Sequence, residues 1–83
     1  MARYFLHLRD GTEEVLDPEG VEYLDMEAVR KAVLAGARDV MANDLKSGGV
    51  VDLRFRIDAE DAAGEVVYSL PFEHALNIIP RAA

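Results

Sequence analysis

The sequence predicts an α+β fold, a two-layer ββαββ sandwich with one long helix packed on one face of an antiparallel sheet. Three observations predict it. A single run of helical periodicity extends from Asp25 to about Lys46. The segments before and after it alternate apolar and polar residues with period two. Each of these segments is broken by a turn, at Asp10-Gly11 and at Asp61–Gly64.

The first strand is expected from Ala2 to Arg9. Tyr4, Leu6 and Leu8 point one way and Arg3, Phe5, His7 and Arg9 the other, because successive side chains of a strand alternate. Asp10-Gly11 reads as a two-residue type I′ hairpin turn, which needs positive φ at both central positions. The return strand is expected over Thr12–Leu16. Asp17-Pro18-Glu19-Gly20 is turn chemistry: proline presets φ and glycine accepts the left-handed region. Val21-Glu22-Tyr23 is expected to be an extended link.

Asp25 is the expected N-cap, with Glu27 in the first turn and Leu24 and Val29 spaced as a hydrophobic staple. Met26, Val29, Val33, Ala37 and Val40 then fall on one helical face, which Met41 widens. Glu27 and Lys31 make an i,i+4 pair. Gly36 costs roughly 1 kcal/mol inside a helix, so another element is expected to pass close to it. Ser47-Gly48-Gly49 ends the helix.

Val50 to Asp58 alternates again, with Val51, Leu53, Phe55 and Ile57 toward the core and Asp52, Arg54, Arg56 and Asp58 away. Glu60 to Gly64 is expected to form the turn, after which Val66, Tyr68 and Leu70 continue the inward set and Pro71 ends the strand. Phe72 to Leu76 suits one helical turn, and an apolar tail with Ile78-Ile79 follows.

Eighty-three residues, about half of them hydrophobic, make one domain spanning 1–83 with a core near the lower limit of self-sufficiency. The absence of cysteine excludes disulfides and thiolate metal sites. The N-terminus lacks the pattern of a signal peptide and no apolar run could span a membrane, so a cytoplasmic protein is expected. The formal charge of −7 repels nucleic acid on average.

No reaction is spelled out. Ser47 and Ser69 lack a nucleophile context, and His7 and His74 belong to no short ligand motif, so both read as surface or rim residues. The glycines form neither a dinucleotide fingerprint nor a P-loop. The carboxylates Glu13, Glu14, Asp17 and Glu19 read as a solvated acidic run. The expectation is therefore no catalysis, no metal and no cofactor.

The one constellation that stands out is the sheet face opposite the helix. It is expected to carry Arg3, Phe5, His7 and Arg9 from the first strand and Arg54 and Arg56 from the third. Basic groups interleaved with an aromatic suit single-stranded nucleic acid or another anion. The competing expectations are that cross-strand carboxylates such as Asp52 and Asp58 pair with these arginines, that Phe5 marks a dimer face, or that Phe5 lies under Ile78-Ile79.

Arg3-Tyr4-Phe5-Leu6-His7-Leu8-Arg9-Asp10-Gly11, Asp17-Pro18-Glu19-Gly20-Val21-Glu22, the alanine-rich helix start after Asp25, and Val67-Tyr68-Ser69-Leu70-Pro71-Phe72 with Ala75-Leu76 resemble a family of small bacterial proteins classed as a domain of unknown function. The resemblance spans nearly the whole chain. It implies a stand-alone cytoplasmic α+β domain and supplies no site residues. The hairpin followed by an alanine-rich helix is also similar to antitoxin-like domains of the HicB type. That likeness implies a partner-binding role, since no DNA-binding segment is appended. The functional expectation is a non-enzymatic interaction module, homodimeric or bound to another protein, with anion or nucleic-acid binding as the alternative.

Overall fold

The computed structural model describes residues 1–82. Strands β1 (Ala2–Arg9), β2 (Glu14–Val15) and β3 (Val21–Tyr23) precede helix α1 (Met26–Ser47). Strands β4 (Arg56–Glu60) and β5 (Val66–Pro71) follow it, and a 3₁₀ turn covers Phe72–Ala75. The strands form one antiparallel sheet in the order β2-β1-β4-β5, with β3 also pairing with β1. The fold class is the expected one, with an additional short strand.

Helix α1 forms where the sequence places it. The Asp25 carboxylate accepts the Ala28 N–H at 2.9 Å and so satisfies one of the orphan donors of the first turn. Val29, Val33, Ala37 and Met41 are buried along one stripe and meet Ile57 and Ala59 of β4, Leu70 of β5, and Phe72 and Ala75 of the 3₁₀ turn. Tyr4, Leu6 and Leu8 pack against this core from β1, as their alternation predicts. Gly36 answers the expectation of close approach: a Cβ there would lie 3.5 Å from Ile57 Cδ1. Leu24 is 76 % exposed, so the expected staple to Val29 does not form.

Three local readings change. The Asp10-Gly11 turn is wider than two residues, because Asp10 Oδ1 accepts from Thr12 N, Thr12 Oγ1 and Glu13 N. Only Gly11 there has positive φ. This side-chain wrapping displaces ladder bonds and shortens the return strand to Glu14–Val15. Val21–Tyr23, expected as a link, pairs with Ala2–Tyr4. The strand expected over Val50–Asp58 is confined to Arg56–Glu60. Upstream, Asp52 accepts the Arg54 N–H on its side chain and the Phe55 N–H on its carbonyl, which forms a turn. Val51 and Phe55 still reach the core from this irregular segment.

Candidate functional site

The face of the sheet turned away from α1 is not bare. Strands β2 and β3 flank the two ends of β1, and between them the chain detours through Leu16–Gly20. Within that detour Asp17 takes the place of a strand. Its Oδ2 accepts the Leu6 N–H at 3.3 Å, and its Oδ1 accepts from Glu19 N and Gly20 N. Burial pushes the Asp17 carboxyl up. The N–H donors of Gly20, Leu6 and Glu19 outweigh it and hold the pKa below the ordinary value.

His7 sits beneath this detour. It was expected at the surface or rim, yet it is 8 % exposed. The reason is that the Asp17 backbone N–H donates to His7 Nδ1 at 3.0 Å and draws the loop over the ring. With Nδ1 accepting, the neutral imidazole carries its proton on Nε2, which lies 3.5 Å from Glu60 Oε1. Phe5 stacks beside His7, with ring centroids 6.3 Å apart. It is half-buried beside Gly20, whereas Ile78, expected over it, borders Leu45, Val51 and Leu53.

Asp58, 3 % exposed, lies across from His7 in the β1–β4 register. It accepts from Ser69 Oγ at 2.6 Å, from Arg9 at 3.0 Å and from Arg56 Nε at 3.1 Å. Burial raises its pKa, and the donors Ser69, Arg9 and Arg56 overcome that and lower it. Arg9 is held on three sides, by Glu60, Glu14 and Asp58. Hydrogen bonds to these three carboxylates, Glu60 foremost, raise its pKa well above the usual guanidinium range. An open depression of about 360 Å³ borders the network at Arg9, Thr12, Glu14 and Arg56.

Of the six residues expected on this face, Phe5, His7, Arg9 and Arg56 come together. Arg3, further along β1, donates to the carbonyl oxygens of Glu19 and Gly20. Arg54 stands apart: it lies before β4 begins, is exposed, and forms an ion pair with Asp52 at 2.8 Å. Arg54 in turn holds the Asp52 pKa at about 2. The expected cross-strand pairing is found at Arg9, which meets Asp58 of β4 and Glu14 of β2, whereas Arg56 pairs with Asp58 along its own strand and Asp52 pairs only locally. The sequence reading missed Asp17 as a strap, and it missed Glu60 and Ser69 as partners. Glu60 was assigned to a turn. The signal for Asp17 was its position before Pro-Glu-Gly, which marked a turn without showing what the turn covers.

A family model described as Domain of unknown function (DUF6894) matches residues 3–73. The chain belongs to this family. The DUF6894 match begins in β1 and ends within the 3₁₀ turn, so the whole His7–Arg9–Asp58 network lies inside it and the tail beyond Glu73 does not. No curated protein and no solved structure gives a significant match. Among the described residues, no helix is long and apolar enough to cross a membrane, and no group of three metal-ligating side chains is assembled.

Proposed function

We propose that this DUF6894 domain is a non-enzymatic interaction module that recognises a basic protein surface through the edge formed by β2, the Leu16–Gly20 detour and β3. One observation carries the reading. Residues 10–29 contain eight acidic residues and no basic one, and the rest of the chain contains nine basic and eight acidic. All of the excess negative charge therefore belongs to this segment. Val15, Leu16, Val21 and Leu24 lie within it, each more than half exposed. An acidic field steers a basic partner and sets the register of docking, while exposed apolar side chains supply the anchors.

The ionisable groups best placed for chemistry are already engaged, His7 with Asp17 and Glu60, Asp58 with Ser69 and Arg9, and Glu60 with Arg9, which supports a structural role for them. The anion or nucleic-acid reading draws less support, since Arg3, Arg9, Arg54 and Arg56 each already donate to acceptors within the protein.

The test is photo-crosslinking in cells with a photoreactive residue at Leu24, compared with one at Lys31 on the exposed side of α1. Adducts to another protein from position 24, lost when Glu14, Glu19 and Glu22 are changed to Gln, are the expected result. Equal labelling from the two positions would refute the reading.

A further inference from the structure

We propose that a second copy of this chain seats on the apolar groove at the C-terminal end of α1, with Ile79 of each copy filling the groove of the other. The groove, about 450 Å³, is lined by Leu45, Gly49, Val51, Leu53, Leu76 and Ile78. Leu45 extends the row of Val33, Ala37 and Met41 by one turn and Val51 packs against the core, so the groove adjoins the core, and none of its lining residues belongs to the acidic segment. The chain also presents what would fill it. After the 3₁₀ turn the backbone is extended at Leu76, and Ile78 and Ile79 follow at 71 % and 83 % exposed. Ile78 lines the chain's own groove, and Ile79 does not. Successive side chains of an extended segment point to opposite sides, so Ile79 is directed away from the surface that Ile78 borders.

One molecule thus carries both an apolar groove and an unburied apolar plug beside it. Such a surface is complementary to a copy of itself, and reciprocal exchange about a two-fold axis closes at the dimer without propagating into a filament. Charge favours the same occupant. Residues 30–83 hold seven basic and eight acidic side chains, so two copies meeting through this end bring nearly neutral segments together. Arg54, next in sequence to Leu53 of the groove, is paired with Asp52, which chiefly raises its pKa, and Asp10 and Glu13 raise it further. The family match stops at Glu73, so Ile78 and Ile79 lie outside the matched residues.

Sedimentation of the full chain at rising concentration tests the proposal. The expected result is a dimer whose association is unchanged or strengthened by salt. Ile79→Asp and Leu53→Asp alter exposed side chains, so each should keep the native circular dichroism and sediment as a monomer. Mixing the two variants should restore a weaker heterodimer, because Ile79 of the Leu53→Asp chain still finds an intact groove on the Ile79→Asp chain. A wild-type monomer up to about 1 mM, a dimeric Ile79→Asp, or no association on mixing would each overturn it. None of these outcomes bears on the crosslinking from Leu24.

Discussion

Asp17 and His7 show how two side chains can replace a missing piece of strand. Asp17 accepts three backbone N–H groups, and its own N–H is received by His7. Asp17→Ala strands the Leu6 donor and should cost about 1–3 kcal/mol in thermal or urea unfolding. At His7 the requirement is an acceptor at the Nδ1 position. His7→Asn, whose amide oxygen falls near that point, should be milder than His7→Leu by about 1 kcal/mol in the same measurement. Asp58→Ala leaves Arg9 and Arg56 short of a nearly buried partner and should cost about 3 kcal/mol. The pH dependence follows from the same groups. Asp17 and Asp58 have folded pKa values below the ordinary 3.8, so each contributes stability that is present above that value. The contribution is lost as pH falls through the lower folded value, because the unfolded chain then binds more protons. Acid unfolding should begin below about pH 4, and Asp58→Asn should flatten its slope.

At the scale of elements, two glycines that look alike in sequence should respond in opposite directions. Gly20 has φ +69°, and a Cβ there would lie 2.8 Å from the Tyr4 carbonyl oxygen and 2.9 Å from the Phe5 ring. Gly20→Ala therefore strains the backbone and lifts the detour off β1, with an expected loss of about 2 kcal/mol. Gly36 sits in α1 with 3.5 Å of room before Ile57, an ordinary contact. Gly36→Ala should gain up to about 1 kcal/mol from helix propensity. Differential scanning calorimetry of the two variants reads both signs. Helix α1 was legible because its stripe, N-cap and terminating glycines agree over 22 residues. β1 was legible because its eight residues alternate without interruption. The irregular segment before β4 was not, since Val50–Asp58 alternates like a strand and only the turn built by Asp52 shows that it is not one. β3 was missed because a three-residue strand has too short a pattern, and its pairing with the start of β1 depends on the detour.

For the whole molecule, the uneven placement of charge matters more than its total. Eight carboxylates crowded along one segment repel one another, and salt relieves that repulsion at exposed positions. Raising ionic strength from about 0.01 M to about 0.15 M should therefore raise the melting temperature, and Glu19→Lys should remove part of the effect. Val33→Asp would bury an unpaired charge at the centre of the stripe where α1 meets the sheet, and the protein should not fold, as read by circular dichroism. The candidate face was legible in part: Arg54, which precedes β4, does not join it, and of the expectations held for it the pairing of arginines with carboxylates is the one found. Alternation placed Phe5, His7, Arg9 and Arg56 together, but whether those groups await a ligand depends on Glu60, Ser69 and Asp17, which reach them only through strand register and a loop crossing.

The bond from Leu6 N–H to the Asp17 carboxylate has one more consequence. In an ordinary ladder an amide hydrogen is shielded by a carbonyl that does not titrate. Here the shield is an ionisable group on a loop, so solvent exchange at one backbone position becomes a chemical gauge of one side chain. The protection of Leu6 against deuterium exchange, taken relative to its intrinsic rate at each pH, should fall in acid before that of its ladder-bonded neighbours, at the pH where Asp17 takes up its proton. That single residue would then report closure of the detour as pH is varied, without a label.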